Sequence, residues 1–215
     1  MNSVVVMDYG VGNLLSVTRA LEHCGADARI SSDAKDVEGA DRLVLPGVGA
    51  FESCMTSLKE SGLREPLMEF VASGRPLLGI CVGMQMLLEV GEEFGIHEGL
   101  GVIKGRVRKI LATDTSGAKL KVPHIGWNGL LPRAGADSST WRGTPLDGVA
   151  PGAAAYFVHS YGAEPSEPLD CLAVTIYGGQ TITAVIARGN VIGTQFHPEK
   201  SGAVGLRMLR QFVAH

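Results

Sequence analysis

Three short apolar segments in the first half of the chain each end at a turn and are followed by a helical pattern. They cover residues 3–8, 42–45 and 76–80, and the first two run into glycine-rich turns. Strands that alternate with helices form βαβ units, whose right-handed crossovers give a parallel sheet. Nearly continuous apolar strands indicate a sheet that is covered on both faces. The sequence therefore predicts an α/β fold with an open, mostly parallel sheet flanked by helices.

The second half of the chain has a different pattern. Residues 102–111, 154–161, 172–177 and 182–196 look like strands joined by turns, with a last helix near residues 204–213. These runs predict a more antiparallel C-terminal half. Residues 112–118 and 132–151 are rich in small and turn-forming residues and are predicted to be surface loops, the second a disordered insertion. Without a repeat or a long linker, residues 1–215 are predicted to form one domain.

Composition and charge limit the possible partners and compartments. The 215 residues are 45% hydrophobic and carry a formal net charge of −3, so no overall basic field indicates nucleic acid or an anionic membrane. The chain has neither an apolar run of 18 residues nor the pattern of a signal peptide. Four widely spaced cysteines indicate free thiols in a reducing compartment. We therefore expect a cytoplasmic protein.

The sharpest local motif is Gly79-Ile80-Cys81-Val82-Gly83, between an apolar strand and a helical pattern. Glycines two positions before and two after Cys81 allow a sharp turn, as in the nucleophile elbow of hydrolases. The start of the following helix favours negative charge on the sulfur. The motif alone also fits a buried structural cysteine, so the prediction of a nucleophile depends on its partners.

A histidine and a carboxylate near the C-terminus are candidate partners. His197 and Glu199 are two residues apart, so both can point to one side of an extended segment, and Pro198 limits the backbone between them. A thiol needs a nearby base to become nucleophilic, and a histidine base benefits from a carboxylate that orients it. Cys81, His197 and Glu199 are therefore predicted to form a catalytic triad.

A glycine-rich turn is a candidate oxyanion site. Leu45-Pro46-Gly47-Val48-Gly49 directly follows a strand, and backbone N–H groups in such a turn can stabilise an oxyanion. The predicted donors are the N–H groups of Val48 or Gly49 and of Val82. Alone, the segment is also compatible with a plain turn.

Five motifs together resemble one family of triad-type glutamine amidotransferases, the glutaminase subunits of imidazole glycerol phosphate synthases. The resemblance extends from Val4 to Phe212. Its five motifs are the segments 8–14, 45–51, 122–128, 158–161 and 197–201. Segments 79–85 and 197–199 carry the resemblance to the wider class of triad-type glutamine amidotransferases. It implies hydrolysis of glutamine without a metal or other cofactor. It also implies transfer of ammonia to a βα-barrel cyclase subunit, within a heterodimer that makes imidazole glycerol phosphate for histidine biosynthesis.

The resemblance also implies roles for further residues. Gln85 and Glu93 would hold the α-amino and α-carboxylate groups of glutamine, with help from the backbone of His159, Ser160 and Tyr161. The alternatives are an exposed position on a helix turn for Gln85 and a solvated charge for Glu93.

The active site of such a subunit would face the cyclase, because free ammonia becomes ammonium in water. The candidate interface residues are Asn13, Pro123, Trp127, Asn128 and Lys200. Trp127 is a suitable interface anchor but also fits a core position, and Lys200 also fits an ordinary surface ion pair.

Three other functions remain open at this stage. One is the glutaminase subunit of a synthase for pyridoxal phosphate, purines or anthranilate, although segments 8–14 and 123–128 argue against it. A stand-alone cysteine peptidase or hydrolase would cleave peptide amides and ignore free glutamine. A binding module without catalysis is difficult to reconcile with an intact set of Cys81, His197 and Glu199.

Overall fold

A computed structural model describes residues 3–214, in which six α-helices accompany three sheets. The helices are α1 (Leu14–His23), α2 (Ala34–Gly39), α3 (Phe51–Glu60), α4 (Arg64–Ala72), α5 (Val82–Met86) and α6 (Gly202–Ala214). The strands are β1 (Ser3–Met7), β2 (Asp27–Ser31), β3 (Arg42–Gly47), β4 (Leu77–Cys81), β5 (Val90–Gly91), β6 (His97–Glu98), β7 (Gly105–Lys109), β8 (His124–Gly129), β9 (Leu131–Pro132), β10 (Ala154–His159), β11 (Tyr161–Pro165), β12 (Cys171–Tyr177), β13 (Gln180–Arg188) and β14 (Val191–Thr194).

The main sheet has eight strands in the order β2-β1-β3-β4-β14-β13-β12-β9. From β2 to β14 in this order, each strand is parallel to its neighbour. From β14 to β9, each strand is antiparallel to its neighbour. β3 and β4 are buried along their whole length, as nearly continuous apolar strands require. The predicted α/β fold with a more antiparallel C-terminal half is confirmed.

Two smaller sheets stand beside the main sheet. β10 pairs with β8, and the other sheet has the order β11-β7-β5-β6. The predicted strand over residues 154–161 is therefore wrong as a single element, because the chain changes sheets at Ser160. The sequence pattern also missed α2 and β8. Within residues 3–214 no helix is long and apolar enough to cross a membrane.

The predicted disordered insertion at residues 132–151 is wrong. The side chains of Trp141, Leu146 and Val149 are buried and belong to the main hydrophobic core. Trp141 Nε1 also donates a hydrogen bond to the carbonyl of Leu172 on β12 at 3.0 Å. A composition rich in small residues concealed three apolar anchors that pack against the sheet.

The helix after Cys81 is shorter than its apolar pattern predicts. α5 ends at Met86, and tight turns follow in which Leu87 and Leu88 donate to the carbonyls three residues before them. Both leucines remain buried. Their spacing reflects burial in the hydrophobic core and not a continued helix.

Candidate active site

The candidate catalytic groups follow three neighbouring strands of the main sheet. β3, β4 and β14 are adjacent and parallel, so their carboxyl ends meet at one edge. The turn after β3 contains Val48 and Gly49, β4 ends at Cys81, and His197 lies three residues after the end of β14. Ligand sites of open α/β sheets form at this edge. The sheet therefore brings together three motifs that are far apart in the sequence.

Cys81 has a strained backbone. Its φ of 55° and ψ of −110° place it in a region that residues other than glycine rarely adopt. The chain turns there directly from β4 into α5, and Val82, as the first residue of α5, has an N–H without a partner inside the helix. This is the strand–turn–helix geometry that the glycine pattern predicts for an elbow.

Glycines let the elbow approach the turn after β3. A Cβ on Gly83 would lie 2.0 Å from the carbonyl oxygen of Leu45, and one on Gly47 would lie 2.5 Å from the nitrogen of Gly83. Any larger residue at either position would push the two segments apart. The close approach places Gly47 directly against Val82 and Gly83.

His197 is held between the thiol and a carboxylate. Its Nδ1 lies 2.9 Å from Glu199 Oε1, which leaves Nε2 for the hydrogen bond with Cys81. Asn13 Nδ2 donates to the same Glu199 oxygen at 3.3 Å. Asn13, predicted as an interface residue, thus also contacts the candidate triad. The His197 main chain is fixed by a hydrogen bond from its N–H to the Tyr156 carbonyl at 3.0 Å.

The pKa of His197 reflects two opposing effects. Burial disfavours the imidazolium, but hydrogen bonds with Cys81 and Glu199 and the charges of both groups outweigh burial and raise the pKa to about 9. A protonated His197 therefore pairs readily with a Cys81 thiolate. This electrostatic arrangement is suited to nucleophilic attack by sulfur.

A hydrogen bond orients one peptide group of the glycine-rich turn. Cys54 Sγ donates to the Val48 carbonyl at 3.3 Å, so this carbonyl points towards α3. In a trans peptide the next N–H points the opposite way, so the Gly49 N–H is directed away from α3. The Tyr9 hydroxyl donates to the Pro46 carbonyl at 2.5 Å. No local sequence pattern indicates these roles of Cys54 and Tyr9.

A small cleft of about 230 Å³ opens beside Cys81. Three other surface clefts are larger, with volumes of about 530, 550 and 650 Å³, so chemistry and not size distinguishes this one. Its lining combines the sulfur with oxyanion, substrate and interface candidates: Gly49, Cys81, Val82, Gln85, Glu93, Pro123, Val158, His159, Ser160 and Tyr161.

The two side chains predicted to bind substrate are fixed by hydrogen bonds at this cleft. Gln85 is buried, so the alternative of an exposed helix turn is wrong, and its Nε2 donates to the Tyr161 carbonyl at 2.8 Å and to Gln195 Oε1 at 2.9 Å. Glu93 is half-buried, and its Oε2 accepts from the Phe51 N–H at 2.7 Å. Both residues keep a further oxygen as an acceptor.

A buried histidine pair connects the cleft wall to β8. His159 Nδ1 lies 2.8 Å from the Tyr161 carbonyl, and its Nε2 lies 3.1 Å from His124 Nδ1. Burial lowers the pKa of His159 to about 4, so this ring is neutral at pH 7. His124 Nε2 in turn lies 3.0 Å from Asn128 Oδ1, and Asn128 Nδ2 donates to the Ile176 carbonyl at 2.8 Å. Asn128 therefore stabilises β8 besides being an interface candidate.

Trp127 is 56% exposed, so a core position is wrong. Its ring packs edge-on against the ring of Tyr156 on β10, with centroids 5.8 Å apart. The carbonyl of the same Tyr156 accepts the hydrogen bond from the His197 N–H. Lys200 is exposed, whereas Pro123 lines the cleft. Exposed apolar side chains at Leu15 and Ile125, which the sequence did not single out, occur close to Asn13 and Trp127 in the chain.

The comparison with known proteins agrees with this geometry. Residues 5–215 match the model of the family described as glutamine amidotransferase class-I. A crystal structure of a glutamine amidotransferase shares the fold with a TM-score of 0.71 at 20% identity, covering 98% of this chain and 97% of that one. The chain therefore belongs to the class-I glutamine amidotransferases.

Particular relatives within this class are much more similar. Imidazole glycerol phosphate synthase subunit HisH 1 of Legionella pneumophila (strain Lens) is 49% identical over 213 residues, which cover 99% of each chain. Imidazole glycerol phosphate synthase subunit HisH of Syntrophotalea carbinolica is 46% identical over 211 residues, covering 97% of this chain and 98% of the relative. Such identity over nearly the full length indicates the same arrangement of elements throughout.

Proposed function

We propose that the protein is the glutaminase subunit of an imidazole glycerol phosphate synthase. In this role it hydrolyses glutamine to glutamate and passes the ammonia to a βα-barrel cyclase subunit, within a heterodimer that serves histidine biosynthesis. The proposal depends above all on the pairing of an elbow cysteine, Cys81, with a buried His197–Glu199 pair. The identity with HisH subunits supports the choice of synthase.

The chemistry begins with proton transfer from Cys81 Sγ to His197 Nε2. The thiolate attacks the carboxamide carbon of glutamine, and the N–H groups of Gly49 or Val48 and of Val82 stabilise the oxyanion. One such donor typically contributes about 100- to 1,000-fold in kcat. The His197 imidazolium then protonates the leaving nitrogen as the carbon–nitrogen bond breaks, which releases ammonia and leaves a thioester on Cys81.

Hydrolysis of the thioester completes the cycle. His197, now neutral, takes a proton from water as the water oxygen attacks the thioester carbon. The carbon–sulfur bond breaks, the sulfur takes the proton back from His197, and glutamate leaves. Glu199 remains ionised throughout and stabilises the imidazolium in both steps.

The polar groups of the cleft suit the α-end of glutamine. Gln85 Nε2 is engaged by Tyr161 and Gln195, so its Oε1 is left to accept from an α-ammonium group. The Glu93 carboxylate lines the same cleft and adds negative charge. We assign the α-carboxylate to the backbone of His159–Tyr161, which lines the same cleft. The small volume of the cleft fits a free amino acid better than a peptide, which argues against a cysteine peptidase.

The partner face is proposed to surround the mouth of this cleft. Trp127 supplies a large exposed anchor, and its contact with Tyr156 connects the face to the strand beside His197. Asn13, Pro123, Asn128 and Lys200 complete the proposed interface. Docking there would cover the route by which ammonia leaves and would keep it from becoming ammonium. The four cysteines are free thiols, which fits the cytoplasm as the compartment.

A glutaminase assay with and without the cyclase tests the proposal. We expect slow hydrolysis by the isolated protein and a strong increase when the cyclase subunit and its ribotide ligand are added. A glutamine-mimicking electrophile should modify Cys81 and spare Cys24, Cys54 and Cys171. Modification at another cysteine would disprove the assignment of the nucleophile. Activation by a different synthase partner, but not by the cyclase, would disprove the choice of synthase.

A further inference from the structure

Gln195 is a completely buried side chain beside the nucleophile. It lies between β14 and His197, and a primary amide in such a place is costly unless hydrogen bonds satisfy it. Both of its polar atoms contact groups of the candidate site. Oε1 accepts from Gln85 Nε2 at 2.9 Å, and Nε2 lies 3.8 Å from Cys81 Sγ. The buried amide of Gln195 therefore connects the side chain of Gln85 to the sulfur of Cys81.

The orientation of this amide follows from its neighbours. The Tyr161 carbonyl can only accept, so the Gln85 atom that lies 2.8 Å from it is the amide nitrogen. The same nitrogen donates to Gln195, which must present its oxygen there. The NH₂ group of Gln195 is consequently the end that faces the sulfur of Cys81.

The sulfur of Cys81 has a second weak contact that competes with the one from Gln195. The Val158 carbonyl lies 4.0 Å from Cys81 Sγ and can accept only from a protonated thiol. The amide of Gln195 can instead donate to the thiolate, and a donor to an anion favours the charged form. When the proton moves to His197, the S–H···O contact is lost and the N–H···S contact becomes stronger.

We propose that Gln195 is a positioning residue that stabilises the Cys81 thiolate and holds its sulfur in line with Gln85. This inference rests on the proposed role of Cys81 as the nucleophile. The amide of Gln195 then orients two groups that act on the substrate. One is the sulfur that attacks the carboxamide, and the other is the Gln85 side chain proposed to bind the α-amino group.

The test is the pH dependence of Cys81 alkylation by iodoacetamide in the full chain, without glutamine or a partner. Digestion and mass spectrometry measure the rate at Cys81, with the other cysteines as internal references. Gln195→Met removes the donor while keeping the length of the side chain. Gln195→Glu keeps the acceptor for Gln85 and places a second oxygen towards the sulfur. Thr175→Val is the matched control, because it removes another buried donor, the hydroxyl that donates to the Gly129 carbonyl.

In Gln195→Met we expect the midpoint of the rate–pH profile to rise by about one unit, which slows alkylation at pH 7 roughly 10-fold. Gln195→Glu should shift the midpoint further in the same direction, because its carboxylate repels the thiolate. Thr175→Val should match the wild type. Coincident profiles for the wild type and Gln195→Glu would overturn the inference, even if Gln195→Met failed to fold. Because the assay contains no glutamine, it distinguishes this failure from absence of glutaminase activity in the wild type.

Discussion

His197 Nδ1 lies 2.9 Å from Glu199 Oε1, and the two side chains are only 4% and 0% exposed. The other carboxylate oxygen, Glu199 Oε2, is buried without a hydrogen-bond partner in the described part of the chain. Glu199 therefore interacts through one oxygen, Oε1, which accepts hydrogen bonds from both His197 and Asn13. A buried carboxylate with so few donors depends strongly on the imidazolium for stabilisation.

Replacement of Glu199 should lower both the glutaminase activity and the stability of the His197 imidazolium. Glu199→Gln keeps the size of the side chain but removes the charge that favours the imidazolium. We expect kcat for glutamine hydrolysis to fall at least about 100-fold, within the range of a lost acid–base contribution. Steady-state assays of the complex with the cyclase measure this effect. The control is Glu38→Gln on the exposed face of α2, which should leave kcat unchanged.

The raised pKa of His197 also predicts how stability depends on pH. The folded-state value is about 9, against 6.5 for an unperturbed histidine. Because the folded form binds this proton more tightly, the contribution is fully present below about pH 6.5 and is lost as the pH rises to about 9. Urea unfolding at pH 6.5 and pH 9 should show a larger loss of unfolding free energy for the wild type than for Glu199→Gln. Equal losses would contradict the pairing.

The close approach of two glycines should be essential to the oxyanion site. In Gly47→Ala the new Cβ would lie 2.5 Å from the Gly83 nitrogen and push the turn away from α5. We expect about 1–3 kcal/mol of destabilisation and a fall of kcat by at least about 10-fold, since one displaced donor costs more than that. The control is Gly39→Ala at the end of α2, where a Cβ meets open space. An active Gly47→Ala enzyme would show that this turn supplies no donor.

Trp127 should contribute to the binding of the cyclase subunit and not to the folding stability of this protein. Because the ring is 56% exposed, Trp127→Ala should leave the melting temperature nearly unchanged. An aromatic anchor at the centre of an interface typically contributes 2 kcal/mol or more, so we expect Kd for the cyclase to rise about 30-fold. Calorimetric titration measures this change. Leu169→Ala, at a comparably exposed apolar residue outside the proposed interface, should bind as the wild type does. An equal loss in both variants would contradict a specific anchor.

The segment at residues 132–151 should behave as part of the folded core. Trp141→Ala removes a side chain that is 1% exposed, and such truncations typically cost about 3–5 kcal/mol. Trp141→Phe keeps an aromatic ring in the core but loses part of the indole and the hydrogen bond to Leu172, so a smaller loss than in Trp141→Ala is expected. Urea unfolding at pH 7 ranks the two variants. A change below about 0.5 kcal/mol in Trp141→Ala would mean that the segment does not pack against β12.

The sheet and the elbow could be predicted because their signals are local. Apolar strands that end in glycine turns determine where the parallel strands stop, and the glycines beside Cys81 allow one sharp backbone turn at that point. The proximity of His197 and Glu199 is also local, since they are only two positions apart. The predicted strand boundaries are less accurate in the second half of the chain. There the apolar pattern does not change at Ser160, although the chain passes from one sheet to another at that residue.

The amino-acid sequence by itself determined the fold class, the three candidate triad residues and the resemblance to glutaminase subunits. Only the tertiary structure decided what surrounds them. Asn13 and Glu199 are 186 positions apart, and Gln85 and Gln195 are 110 apart, so no local pattern links them. Such pairs form because buried polar groups must find partners wherever the packed sheet brings them, and burial is a property of the whole fold.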